Sequence, residues 1–148
     1  MQDMPPIMIA EDDDDDFYFL RRAIRQAEIQ NPLLRFRDGS ELVKFVEQLP
    51  NCEATIAELP AWLLLLDITM PVMNGFEVLQ WLRANSERIR VRPVMLSGSY
   101  RPDDIERAIG LGAVDYLIKP ITAQVLAQVA AKQLGITLQA ASPRPAHG

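Results

Sequence analysis

Residues 62–75 read WLLLLDITMPVMNG, and they decide the fold. Leu63 to Leu66 run without alternation, the pattern of a strand covered on both faces, which implies a parallel sheet between helices. The run stops on a carboxylate, Asp67. Pro71 then ends the strand, and Asn74-Gly75 marks the turn into an amphipathic segment beginning at Phe76. Asp67 thus stands at the carboxyl end of a central strand, where open α/β sheets place their ligands. Taken alone, an acid at such a position is more often a turn or cap residue than a chemical one.

Working outward, Ile7 to Ala10 form a short apolar run after Pro5-Pro6 that ends in six consecutive acids, Glu11 to Asp16. Phe17, Leu20, Ile24 and Ala27 follow at helical spacing. Asp13 to Asp16 suit the N-cap and first turn of that helix, whereas Glu11 and Asp12 sit on the strand side, where no cap is needed. Asn31-Pro32 breaks the helix. Leu33 to Arg37 reads as a second strand of mixed polarity, nearer the sheet edge, and Leu42, Phe45, Val46 and Leu49 give a second helix ending near Pro50. From Pro50 to Pro60 a long surface loop is expected.

Beyond the central strand, a helix from about Asn74 to Ala84 turns Phe76, Leu79 and Leu82 inward. Pro93 to Ser97 is a fourth apolar run, ending on a hydroxyl before Gly98. Pro102 suits the first turn of a helix with Ile105, Ala108 and Ile109 on its inner stripe. Val114 to Ile118 makes a fifth strand, ended by Lys119-Pro120, and Thr122 caps a last helix carrying Val125, Leu126 and Val129. Residues 1–135 are thus expected to form one domain, and residues 136–148, low in apolar content, a disordered tail. His147, the only histidine, falls in that tail and reads as a solvated residue.

The chain has 148 residues, of which 49% are apolar and 24% charged, figures that suit one soluble domain with an ordinary core. The start lacks the basic region and apolar core of a secretory signal, and no run approaches a membrane span, so a cytoplasmic home is expected. Cys52 stands alone and forms no internal disulfide. A net charge of −5, with no basic stripe bearing aromatics, argues against direct nucleic-acid binding.

Alternating strands and helices predict a doubly wound five-stranded parallel sheet with five helices. The strands then end at Glu11-Asp12, Asp67, Ser97 and Lys119, all on one carboxyl edge. Three carboxylates, a hydroxyl and an ammonium converge there from four strands.

On these residues the chain resembles the CheY-like receiver domain of two-component response regulators, whose fold is flavodoxin-like with strand order 2-1-3-4-5. The resemblance rests on IAEDD at 9–13, LLLLDITMPVMNG at 63–75, MLSGS at 95–99 and GAVDYLIKP at 112–120, and covers about residues 6–135. DGSELVKF with its long following loop is similar to the stand-alone receivers grouped with phytochrome-associated regulators. The resemblance implies that Asp67 accepts a phosphoryl group from a histidine kinase or histidine phosphotransfer protein. It further implies that Asp12, Glu11 and the Thr69 backbone carbonyl join Asp67 in binding Mg²⁺. Lys119 would pair with Asp67 and then with the phosphoryl group. Without metal the close carboxylates repel, Lys119 offsets part of this, and a raised pKa on one acid is expected.

By the same resemblance Ser97 and Tyr116 are the switch residues, and Thr69 and Ser99 tune loss of the phosphoryl group. Neither of the last two is an acid or amide able to hold an attacking water, so slow self-dephosphorylation is expected. Gly98 stands where many relatives carry a small side chain and should loosen its loop. Output would pass to a downstream protein through the surface around the fourth helix, fifth strand and fifth helix, which could also form a homodimer. Such a protein is not an enzyme beyond its own phosphorylation and dephosphorylation. Among rival readings, a haloacid-dehalogenase-like phosphatase would need a second acid at Thr69, and an EF-hand counted from Asp12 would need Gly at Phe17 and Glu at Ala23. A receiver-like interaction module that is never phosphorylated remains the alternative.

Overall fold

An unalternating apolar strand has to be covered on both faces, and the computed structural model, which describes residues 4–49, 61–87 and 89–135, covers this one twice. The strands are β1 (Ile7–Ala10), β2 (Leu33–Phe36), β3 (Trp62–Asp67), β4 (Val91–Ser97) and β5 (Asp115–Ile118). They alternate with α1 (Asp14–Gln26), α2 (Gly39–Glu47), α3 (Gly75–Ala84), α4 (Pro102–Gly110) and α5 (Ala123–Leu134). Every pairing is parallel and the order is β2-β1-β3-β4-β5, the flavodoxin-like arrangement, with β2 at an edge.

Successive side chains of a strand point to opposite faces, so each strand feeds two cores. On one face Ile7, Ile9, Leu63, Leu65, Val94 and Leu96 pack with Leu20 and Ile24 of α1 and Leu126 and Val129 of α5. On the other, Met8, Leu64, Leu66 and Met95 pack with Leu42 and Val46 of α2, Phe76 and Leu79 of α3, and Ala108 of α4. The sheet is thereby fixed on both sides, and its carboxyl edge becomes a rigid platform.

Helix starts are set by side chains that accept from otherwise unpaired backbone N–H groups. Asp13 Oδ1 accepts from Asp16 N at 2.9 Å, and Thr122 Oγ1 from Val125 N at 3.2 Å. Asn74 and Glu77 form a reciprocal capping box at α3. Asp38 Oδ1 accepts from Ser40 N and Glu41 N at 2.8 and 3.0 Å, starting α2. Replacing Asp38 with alanine should cost about 1 kcal/mol, read as a lower midpoint in thermal unfolding. An unchanged midpoint would show that this cap contributes nothing.

Four expectations need correction. β2 ends at Phe36 and not at Arg37. β4 begins at Val91, two residues before Pro93, because Trp62 N donates to Arg90 O and extends the pairing with β3. β5 begins at Asp115 and not at Val114. In α4 only Ala108 of the three assigned apolar residues is buried; Ile105 is half-buried and Ile109 is 48% exposed. Ile109 lies one residue, about 100° of helix, beyond Ala108, and α4 packs mainly on α3 and β5, so its outer flank is left open. The loop assigned to residues 50–60, Cys52, His147 and the tail at 136–148 lie outside the described residues. Among the described residues no helix is long and apolar enough to cross a membrane.

Candidate functional site

The residues at the strand ends are held by continuation of the sheet's own hydrogen bonds. Glu11 N donates to Phe36 O at 3.0 Å, Ile68 N to Leu96 O at 3.3 Å, and Lys119 N to Ser97 O at 2.8 Å. Each strand therefore delivers its functional residue at a fixed height on the carboxyl edge. Glu11, Asp12 and Asp67 are brought together there, each offering a carboxylate oxygen within 4.8 Å of the others. Glu11 and Asp67 are buried, at 1% and 6% exposure, while Asp12 is exposed. Three hard oxygen donors of negative charge, one open to solvent, are a donor set suited to a divalent cation such as Mg²⁺, Mn²⁺ or Ca²⁺.

Lys119 crosses from β5 to this cluster. Its Nζ donates to Glu11 Oε1 at 2.9 Å and lies 3.4 Å from Asp67 Oδ1, but its shortest contact is 2.8 Å, to Asp16 Oδ2. The expected pairing with Asp67 is thus the longest of three. Burial pushes Glu11 up to about 7 against the opposing hydrogen bond from Lys119, with the Asp67 charge adding to the rise. Burial likewise raises Asp67, opposed by the Lys119 charge, by hydrogen bonds and by the Thr69 backbone N–H. For Lys119 burial works against the ammonium, yet hydrogen bonds to Asp16 and Glu11 and the nearby charges outweigh it and hold its proton above the ordinary range. Both acids are raised where a rise on one was expected; burial is the main cause of each, and repulsion by Asp67 adds to the rise of Glu11.

Arg35 on β2 was not singled out in the sequence, and it anchors the other side. Its Nε and Nη2 both donate to the Glu11 carbonyl at 3.1 Å, its Nη1 pairs with Asp14 at 2.9 Å, and its guanidinium lies 4.4 Å over the Phe17 ring. A planar fork of donors satisfies an acceptor at a strand end that no neighbouring strand reaches. Arg37 joins Asp14 at 2.9 Å, and the hydrogen bonds from Arg35 and then Arg37 hold that carboxyl below its usual range.

Of the remaining assigned residues, Ser97, Ser99 and Tyr116 bond to one another and to the start of α4. Ser97 is buried, and its Oγ accepts from Ser99 N at 2.9 Å. Tyr116 is half-buried and its hydroxyl donates to the Ser99 carbonyl at 3.2 Å. Ser99 Oγ donates to Asp104 Oδ2 at 2.8 Å and accepts from Arg101 N at 3.1 Å, so its hydroxyl is committed to the start of α4. Thr69 is exposed. Ser99 is therefore the knot of the β4–α4 loop, its N–H bonded to one assigned switch residue and its carbonyl to the other.

Comparison with known proteins agrees with this layout. Residues 7–131 match the family described as response regulator receiver domain. The chain is 29% identical over 117 residues to the response regulator Rcp1 of Synechocystis sp., covering 78% of each protein. The crystal structure of the Mn²⁺-bound form of Rcp1 superimposes with a TM-score of 0.70 at 26% identity, over 91% of this chain and 99% of that one. The phosphorylated cyanobacterial phytochrome response regulator RcpA gives 0.69 at 25% identity, over 91% and 98%. A probable cyclic di-GMP phosphodiesterase of Vibrio cholerae is 38% identical over 71 residues, 48% of this chain, and the chain spans only 16% of that relative.

Proposed function

The chain belongs to the response regulator receiver domain family of two-component signalling, and from that premise we propose that Asp67 accepts a phosphoryl group in a Mg²⁺-dependent reaction and so switches a protein-binding surface. The observation that carries this reading is the meeting of Glu11, Asp12 and Asp67 oxygens within 4.8 Å, with the Lys119 ammonium beside them. Residues 1–135 are the signalling unit. The donor is a phosphohistidine of a histidine kinase or phosphotransfer protein; it is made from ATP, so the reaction belongs in the cytoplasm.

An Asp67 oxygen forms the new O–P bond as the donor's N–P bond breaks, and the electron pair returns to the imidazole, which takes up a proton. Such transfer asks the protein mainly for alignment and charge neutralisation. Glu11, Asp12, Asp67 and the Thr69 carbonyl would hold the dication, which supplies positive charge to the transferring oxygens. Lys119 would donate to a phosphoryl oxygen, adding a second positive charge beside Asp67. Burial of Asp67 excludes bulk water and strengthens each of these interactions.

Phosphorylation turns the Ser97 hydroxyl from Ser99 N–H toward the phosphoryl group, which frees one side of the Ser99 knot and releases Tyr116 and the α4 start. The surface that changes is that of α4, β5 and α5, where Tyr100 and Ile109 already stand exposed; it serves the downstream protein or a second copy. The added charge selects between existing states of this loop.

Acetyl phosphate with Mg²⁺ should add about 80 Da to the intact protein, as one phosphoryl group does, and excess EDTA should prevent it. The adduct should outlast removal of the donor, because neither Thr69 nor Ser99, whose hydroxyl donates to Asp104, is an acid or amide able to hold an attacking water firmly. A chain that gains no mass from this donor or from a phosphorylated kinase would be an interaction module only. Loss of the adduct within seconds would overturn the slow-hydrolysis part.

A further inference from the structure

The acid run at the start of α1 divides its labour. Asp13 caps the helix, Asp14 pairs with Arg35 and Arg37, and Glu11 and Asp12 join the candidate cation site. Asp16 does none of these things. Its backbone N–H is held by the Asp13 cap, and its side chain reaches across to Lys119, 103 residues away in the chain.

An ammonium has three N–H donors, and that of Lys119 meets three carboxylates at 2.8, 2.9 and 3.4 Å. Charge-assisted bonds of this kind run to about 2.9 Å, so Asp16 and Glu11 receive full hydrogen bonds and Asp67 does not. The two acids also differ in access: the Asp16 side chain is 45% exposed and that of Asp67 9% exposed. A cavity of about 250 Å³ lined by Glu11, Asp16, Phe19, Leu96, Lys119 and Ile121 adjoins the pair and leaves the long lysine side chain room to swing.

We propose that Asp16 is a positioning residue: it holds the Lys119 ammonium on the α1 side of the cluster, off Asp67, and so keeps the acceptor's oxygens open to the divalent cation until a phosphoryl group draws the ammonium across. The proposal rests on the reading of Glu11, Asp12 and Asp67 as a cation site. Ammonium and dication compete for the same two buried carboxylates, and Asp16 biases that competition. Without it the N–H that Asp16 accepted from is freed, in a side chain only 22% exposed and with Asp67 Oδ1 3.4 Å from Nζ.

The test is Mn²⁺ binding to the full chain without phosphodonor, followed by loss of the free-ion electron paramagnetic resonance signal. Asp16→Asn, nearly isosteric, should weaken Mn²⁺ binding about five- to tenfold, a coupling of ordinary size for residues sharing a network. Asp15→Asn, which removes the same charge one residue away, should change it much less. In a Lys119→Met background, which itself should bind Mn²⁺ more tightly, Asp16→Asn should do no more than Asp15→Asn. Equal effects of the two aspartate changes in the original background would overturn the proposal, as would an Asp16 effect that persists without Lys119. Either result leaves the cation site standing. If the unaltered chain takes up no Mn²⁺, the site reading fails, and the role of Asp16 fails with it.

Discussion

Asp67→Asn abolishes the adduct of about 80 Da left by acetyl phosphate and Mg²⁺, and it leaves the metal-free protein at least as stable as the original. The first half follows from the chemistry of the proposed acceptor: an amide oxygen at this position is no nucleophile toward phosphorus, and the other acids of the cluster differ in placement. Glu11 hydrogen-bonds both Lys119 and Asp13 N, and Asp12 is exposed. The second half follows from the electrostatics. Asp67 and Glu11 are both buried and both raised, so burial disfavours both carboxylates in the folded state, and the Asp67 charge further disfavours that of Glu11. The amide removes one of them, can donate to Glu11 where the carboxylate repelled it, and still accepts from Thr69 N–H. Lys119 keeps Glu11 and Asp16, so no charge is orphaned. The expected gain is about 1 kcal/mol in EDTA, read as a higher thermal midpoint.

Mg²⁺ should reverse the order of the two proteins. A ligand that binds only the folded state at about a hundred times its Kd stabilises by about 2.7 kcal/mol, and the original chain should show that rise while Asp67→Asn loses most of it. A full adduct on Asp67→Asn would place the acceptor elsewhere. A marked drop in its metal-free midpoint would mean that Asp67 is a structural anion balanced by Lys119, with no strain for the dication to relieve.

The legible part of this site was the set of strand ends. An apolar run that stops on a charge gives both the strand and the edge on which the charge lies, and Glu11, Asp67, Ser97 and Lys119 each follow such a run. Asp16 was not legible, because an acid in the first turn of a helix is already explained by the dipole, and sequence cannot show that its side chain serves a lysine from another strand instead. Arg35 was hidden for a related reason: in a mixed-polarity edge strand an arginine reads as solvated. Only the parallel register with β1 places it beside the Glu11 carbonyl. Ile109 shows the limit of periodicity, which gives the direction of a helix face but not how deeply the helix is seated. Ser99 shows the limit of position, since the direction of a hydroxyl is settled by Asp104 and Arg101, not by distance from Ser97 in the chain.

Gly75→Ala should lower stability by about 2–3 kcal/mol and slow phosphorylation of Asp67 at the same time. Gly75 is the first residue of α3, and its N–H donates to Ile68 O at 2.9 Å, closing the turn that follows the acceptor. Helix and strand approach so closely here that an added Cβ would lie 2.6 Å from the Asp67 carbonyl oxygen, 2.9 Å from Ile68 Cα and 3.0 Å from Met95 Cε. The methionine can move. The two backbone atoms move only with the end of β3 or the start of α3, and neither is free: β3 is paired on both sides, and α3 is pinned by its capping box. The helix preference of alanine returns at most about 1 kcal/mol, so the clash wins. Relief comes partly by displacing Asp67, and phosphoryl transfer depends on alignment, which is why the rate should fall with the stability. Gly98 provides the contrast: a Cβ there meets nothing within 4 Å, so Gly98→Ala should be neutral or stabilising by about 0.4–1 kcal/mol through the unfolded chain. Thermal unfolding and the initial rate of adduct formation on both variants check the argument. If Gly75→Ala loses stability and keeps its full rate, the strain escapes through α3, and the acceptor is held by the sheet alone.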